Sequence, residues 1–316
     1  MLLRAAGPLA LLCLAACSGE ISSSGGARPG GPERSGGPDG PPIVDPLIAI
    51  EGGARRLSQA ELDNTLRDLL GEDSAPAARL LNEDEFRPFD NDYTIQQASD
   101  ALITSLEVLA DEVAERVTSD PARRAALVPC TPASAGDEAC FRTFLESFLP
   151  RAFRRATTEA EVDAFLPLLS FASEDNAVVE NDFYTAVRLA VSAAVQDPEL
   201  LYRIESGTPG SEPGLVELDG FALASRMSYL LWATMPDDAL FAAAASGALT
   251  TSDGRRAEAL RMLDDPNARG QLHRFHAMWL GYRSIPHTPE LVAAFNRETS
   301  ALIDRVIFDE PGSYMR

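Results

Sequence analysis

From residue 55 onward, helix start and stop signals recur along the chain, and the period-two alternation of a half-buried strand is nearly absent. Ser58-Gln-Ala-Glu61 is a capping box, in which the serine accepts from a first-turn amide and the glutamate reaches back to the cap amide. Leu57, Leu62, Leu66, Leu69 and Leu70 lie around it at helical spacing, and Gly71 supplies the stop. Thr158-Glu-Ala-Glu161 is a second capping box and opens a helix to about Ala172. Amphipathic segments run from about Thr94 to Thr118, Asp137 to Arg155 and Asp182 to Val195, the last broken by Asp197-Pro198. A Gly/Pro-rich stretch, Gly207 to Gly214, marks an internal boundary. Beyond it Asp219 caps a helix through Trp232 that is apolar almost all round, which predicts burial in a core of its own. Pro236, Ser252 and Pro266 open further helices, and the last runs from about Glu290 to Phe308. The pattern predicts an all-α protein of two or three packed helical modules after a disordered N-terminal tether.

The start of the chain reads as an export signal. Arg4 is a positive n-region, and Ala5 to Ala16 form an apolar stretch too short to span a bilayer. It ends in Leu14-Ala-Ala-Cys17, which resembles the lipobox of bacterial lipoproteins. That resemblance implies cleavage before Cys17, acylation of its thiol and stable attachment to a lipid bilayer. Ser18, rather than Asp, follows the cysteine and favours the outer membrane. Residues 18–45 are dominated by Gly, Ser and Pro and read as a tether. Cys13 leaves with the signal, so two cysteines remain in the folded part. Cys130 and Cys140 share one short loop of an exported chain, which predicts a disulfide over a metal pair.

Charge narrows the function classes. The chain carries 27 basic and 48 acidic residues, a formal net charge of −21, and every basic residue is arginine. The absence of lysine excludes Schiff-base chemistry and a phosphate-loop lysine. So acidic a chain lacks the basic footprint of a nucleic-acid partner.

Three further stretches carry a family resemblance. Arg55-Arg-Leu-Ser-Gln-Ala-Glu-Leu-Asp-Asn-Thr-Leu-Arg-Asp-Leu-Leu-Gly71, with Phe89-Asp-Asn91, resembles a planctomycete-type domain of unknown function, number 1587. Phe148-Leu-Pro-Arg-Ala-Phe-Arg-Arg-Ala-Thr-Thr-Glu-Ala-Glu-Val162 resembles number 1595. Leu218-Asp-Gly-Phe-Ala-Leu-Ala-Ser-Arg-Met-Ser-Tyr-Leu-Leu-Trp232, Met235-Pro-Asp-Asp-Ala-Leu240 and Phe275-His-Ala-Met-Trp-Leu-Gly281 resemble number 1592. The expected modules span residues 50–118, 138–206 and 215–316. The resemblance implies an exported bacterial protein often found in company with c-type cytochrome domains, and it implies no established reaction. Members usually continue into two further modules, so a truncated relative or a fragment is expected.

Candidate chemistry is sparse. There is no Cys-x-x-Cys-His, so no covalent haem is expected. Zincin, hydrolase-elbow and phosphate-loop motifs are also missing. His273 and His276 share a helix face, where they are candidates for a metal or non-covalent haem with His287 or a carboxylate completing the set. The bland alternative treats both as partly exposed polar residues beside a core made by Leu272, Phe275, Trp279 and Leu280. Glu83, Asp84, Glu85, Asp90 and Asp92 form an acidic loop without the spacing of a calcium loop, expected to be solvated. Arg226, inside the apolar helix, is expected to be a buried structural ion-pair partner of Asp219, Glu205 or Asp237. The favoured reading is a surface-anchored helical scaffold or docking component of an exported redox or polymer-degrading system. Alternatives are a cell-envelope enzyme using His273 and His276, and an extracellular glycan binder. The glycan reading is weakened by the expectation that both tryptophans sit in core-like stretches.

Overall fold

Helix capping organises the molecule, a computed structural model that describes residues 54–81, 89–92, 96, 98–175, 178–210, 215–283 and 285–309. The export signal, Cys17, the tether and Glu83, Asp84 and Glu85 lie outside the described residues. In chain order the helices are α1 (Gln59–Leu70), α2 (Pro76–Leu80), α3 (Asp100–Ser119), α4 (Pro121–Leu127), α5 (Glu138–Phe153), α6 (Glu159–Ser173) and α7 (Phe183–Gln196). They continue as α8 (Pro198–Leu201), α9 (Gly220–Leu231), α10 (Asp238–Ala245), α11 (Ser252–Leu263), α12 (Pro266–Trp279) and α13 (Pro289–Asp304), after which Arg305–Asp309 form a π-turn. Both capping boxes form, and Gly71 ends α1 in the left-handed region with φ 68°. The all-α class therefore holds, with two small exceptions. β1 (Arg55–Arg56) pairs antiparallel with β2 (Tyr202–Arg203), and β3 (Gly207–Pro209) pairs with β4 (Val216–Leu218). The start of the Gly/Pro stretch expected to be a linker, Gly207–Pro209, is thus a strand, and residues 211–214 lie outside the described residues.

Three local expectations need correction. The helix expected from Thr94 starts at Asp100, because Ser99 is the residue whose side chain accepts from Leu102 N. Pro236 does not open α10; Asp237 caps it and the helix begins one residue later. The helix ending before Trp232 is not buried all round, since Leu230 is 71% exposed.

The larger core lies among α1, α3, α5, α6 and α7. Ala186, Val187, Ala190, Val191, Ala194 and Val195 line one buried face of α7. Their small volume lets α3 approach with its own Ala110, Val113, Ala114 and Val117, the most extensive helix pairing in the fold. Phe141, Phe144 and Phe148 of α5 fill the centre, with Phe183 edge-on to Phe141 at 6.0 Å. Cys130 and Cys140 are joined in a disulfide that closes the loop before α5, with Cα atoms 5.8 Å apart.

A smaller core gathers Trp232, Leu240, Leu249 and Met262, and the Trp232 indole N–H donates to the Met262 carbonyl at 2.9 Å. Gly220 permits this packing: a Cβ there would lie 2.5 Å from the Ala244 carbonyl oxygen. That contact accounts for the glycine in the Leu-Asp-Gly-Phe motif.

Three parts of the chain meet at Tyr229. Although it sits on α9, its side chain is 1% exposed and belongs to the larger core. Its hydroxyl lies 2.9 Å from Thr65 Oγ1 of α1. The guanidiniums of Arg154 and Arg203 stand 5.7 and 5.3 Å from its ring centroid. Asn64 donates to the Ala233 carbonyl at 3.0 Å, and Thr234 donates to Asp68 at 2.7 Å, fixing the same junction. Arg154 ends α5 in a left-handed conformation, φ 56°, unusual for a side chain with a Cβ. Its buried guanidinium donates to the carbonyls of Glu199, Leu200 and Tyr202. Removing it leaves those acceptors unpaired, so Arg154→Ala should lower unfolding free energy by about 3 kcal/mol or more. Tyr229→Phe, which deletes one hydrogen bond, should cost only about 1 kcal/mol. Urea denaturation of both variants measures the difference, and equal losses would contradict the hierarchy.

Candidate functional site

The helix α12 carries the histidine pair. Asp265 caps it, and Pro266 occupies the first turn, where no backbone N–H is missed. His276 is 3% exposed, and its Nδ1 lies 2.8 Å from the Leu272 carbonyl one turn back. A carbonyl only accepts, so Nδ1 carries the proton. His273 points elsewhere, with Nε2 2.8 Å from Asp304 Oδ1 on α13. The pair that sequence spacing placed on one face is thus divided between a backbone contact and a cross-helix contact. His287 lies in the turn before α13, its ring 6.4 Å from Phe295. Among the described residues, no three His, Cys, Asp or Glu side chains converge as a metal ligand set.

Burial on α12 matches the sequence reading at His273, which is partly exposed, and departs from it at four other positions. His276 is inside, whereas Phe275, Trp279 and Leu280 are 39%, 53% and 58% exposed. A segment of the first module lies against this helix. Phe89 stacks on Phe275 at 5.6 Å with planes 16° apart. Beside it, Asp90 Oδ2 accepts from Arg274 at 2.5 Å and from Arg283 at 3.1 Å. Arg274 also donates to the Ser58 hydroxyl at 3.0 Å. Phe89 and Asp90 therefore form a strap across α12. Asp90 was expected in a solvated acidic loop. Its side chain is instead 4% exposed, and one of its oxygens is occupied by two guanidiniums where a bound calcium would need a ligand.

Arg226 pairs with Glu205, the two bonds measuring 2.5 and 2.6 Å. Its side chain is 40% exposed, so the pair lies at the surface and not in the core. The other two carboxylates considered for it have different tasks. Asp219 caps α9, and Asp237 accepts two bonds from Arg261 at 2.8 and 3.0 Å.

A small pocket of about 20 Å³ lies beside this pair, lined by Arg155, Glu199, Ile204, Ser206 and Phe221 among others. Sequence reasoning did not find it, because its walls come from the end of α5, from α8, from the segment between β2 and β3, and from α9. Arg155 is held across it by Glu161, at 2.6 and 3.2 Å, and by Glu199 at 3.1 Å. The Arg155 hydrogen bond, followed by the Thr158 backbone amide, holds the Glu161 carboxyl down to about 2. The three arginines of Arg151-Ala-Phe-Arg-Arg155 thus each make a structural contact, with Arg151 paired to Asp238 of α10.

Because the folded-state pKa of Glu161 is depressed, its contribution to stability is present above the ordinary carboxylate value and fades as pH falls toward 2. Wild type and Glu161→Gln should therefore differ in stability at pH 6 and converge between pH 4 and 2. Thermal melts across that range test this; a difference that grew on acidification would reverse the sign.

The profile of "Protein of unknown function (DUF1587)" matches residues 55–119, that of DUF1595 matches residues 140–205, and that of DUF1592 matches residues 218–315. No curated protein and no solved structure matches the chain.

Proposed function

We propose that this chain, which belongs to the planctomycete-type family defined by these three modules in this order, works as a non-catalytic docking component of an exported assembly. One observation carries the reading: α12 and α13 turn large apolar side chains outward while His273, Arg274 and Asp304 are engaged within the fold. Phe275, Trp279, Leu280, Leu291, Phe295 and Leu302 are all at least 39% exposed. Six of that size on two neighbouring helices exceed the scattered apolar residues of an ordinary surface. His273, Arg274 and Arg283, by contrast, are held by Asp304 and Asp90. The partner is an exported protein of a redox or polymer-degrading system, a c-type cytochrome among the candidates. The lipobox-like Leu14-Ala-Ala-Cys17 supports attachment to the outer membrane through an acylated Cys17. Cys17→Ser should abolish lipid labelling and release the chain from membranes.

A photo-cross-linking residue at 279 or 295 tests the docking reading in intact cells. Protein adducts are expected there and not at Leu260, which is 54% exposed on α11. Equal yields at all three positions would remove the support.

The exposed Trp279 also favours a second reading, glycan binding, by removing the expectation that both tryptophans are buried. Quenching of its fluorescence by soluble polysaccharide, lost in Trp279→Ala, would favour that reading over docking.

The enzyme alternative at His273 and His276 has its own measurement. The purified protein should show no Soret band and no stoichiometric metal, and His276→Ala should change stability only. A one-to-one metal content that disappears in His276→Ala would make the chain an enzyme candidate.

A further inference from the structure

The bond between Cys130 and Cys140 joins two segments that other contacts already pin. Val128, just before Cys130, and Phe141, next after Cys140, are both buried in the larger core. Between the cysteines, the Asp137 carboxylate caps α5 and bridges the loop, accepting from Ala133 N at 2.9 Å and from Cys140 N at 3.1 Å. Those two backbone amides, Ala133 first, hold its carboxyl below the usual carboxylate range. The Asp137 amide in turn donates to the Ser134 carbonyl at 3.3 Å. None of these contacts uses a sulfur atom, so they remain available when the S–S bond is broken.

Both sulfurs also have a seat as thiols. Cys130 Sγ lies 3.2 Å from the Cys140 carbonyl oxygen, an acceptor for its S–H once the bond is open. Cys140 is in the first turn of α5, where the helix dipole favours the thiolate that forms as a leaving group. Access differs between the two. Cys140 is 6% exposed and sits in the core, whereas Cys130 is only partly buried at its edge. An incoming thiolate therefore meets Cys130 first. The bond also has a defined place in the chain. Cys130 lies in the connection that follows the first module, residues 55–119, and Cys140 is the first residue of the second, 140–205.

We infer that Cys130 and Cys140 are a reversible dithiol–disulfide couple, exchanged by a dithiol protein of the same exported compartment, and not a permanent staple. The inference rests on the export reading and is independent of what docks on α12 and α13. In the forward step a thiolate of the donor attacks Cys130 Sγ, the S–S bond breaks, and Cys140 leaves as a thiolate that takes a proton from water. Asp137 and Glu138, in the same turn, oppose a lasting negative charge there. The donor's second thiol, deprotonated to water, then attacks the donor sulfur of the mixed disulfide and releases Cys130, which is protonated in turn. Two electrons and, through water, two protons pass from the donor to the pair, and the donor ends as a disulfide. Reduction frees the connection between the first two modules from the start of α5, and oxidation clips it back.

The full chain in native buffer tests this, with dithiothreitol as the dithiol. Both cysteines should alkylate while far-UV helicity stays and the melting midpoint falls by several degrees, and oxidised glutathione should re-form the bond in the folded chain. A bond that opens only when the chain unfolds, or a reduced chain that loses its helices, overturns the inference. The double variant Cys130→Ser with Cys140→Ser should fold without any reductant, and its failure to fold is equally fatal. Cys130, left alone in Cys140→Ser, should form a mixed disulfide with glutathione about tenfold faster or more than Cys140 does in Cys130→Ser, and equal rates overturn the order of attack. Asp137→Ala should slow re-formation of the bond several-fold; an unchanged rate overturns the claim that the loop is held without the sulfurs. In intact cells, acid quenching and maleimide labelling should trap both redox forms. A pair oxidised in every sample overturns the couple, and a pair reduced in every sample removes the export reading with it.

Discussion

A buried guanidinium has five donors and no water to satisfy them, and the fold around Arg154 is arranged to meet that demand. Its side chain collects three carbonyls from the α8–β2 turn and stands over the Tyr229 ring. The turn that supplies those carbonyls also supplies Tyr202 and Arg203 to the short ladder with Arg55 and Arg56. One charged group thus fixes the end of α5, the start of the chain's first module and the tyrosine sent in by the third. The left-handed backbone at Arg154 costs about 1 kcal/mol, which the hydrogen bonds to buried carbonyls offset.

The arginine-only composition takes on a structural meaning here. Arg116, Arg155, Arg226, Arg261 and Arg274 each meet carboxylates through hydrogen bonds of 3.2 Å or less, and several use two nitrogens at once. A planar fork suits that geometry better than an ammonium does. It also stays charged throughout the working pH range, so these contacts respond to acid through their carboxylates alone.

What could be read from the sequence divides by the range of the interaction. Capping boxes, the stop at Gly71 and the disulfide loop depend on residues close in sequence, and all formed as expected. The inside of α12 could not be read that way. Periodicity assigns burial by residue type, so Phe275 and Trp279 looked like core and His276 like surface. The contacts that Phe89 and Asp90 make with this helix come from more than 180 positions away, beyond the reach of local periodicity. Tyr229 was hidden for a similar reason: it lies in a helix that builds the smaller core, yet its side chain enters the larger one. The Arg226 partner was within reach, because Glu205 was among three nearby carboxylates, but the exposure of the pair was not.

Thr65, Arg154 and Tyr229 come from the three separately recognised modules, and the strap and the helix it crosses come from the first and the third. The boundaries that mark these modules in sequence are therefore not boundaries of folding autonomy. Cut at residue 218, the C-terminal piece would present a tyrosine made for another module's interior and an Arg274 without its carboxylate. The piece left behind would keep a hole where the tyrosine had been. The three modules therefore complete one another's interiors, and a piece holding only one of them would expose surfaces that the others cover.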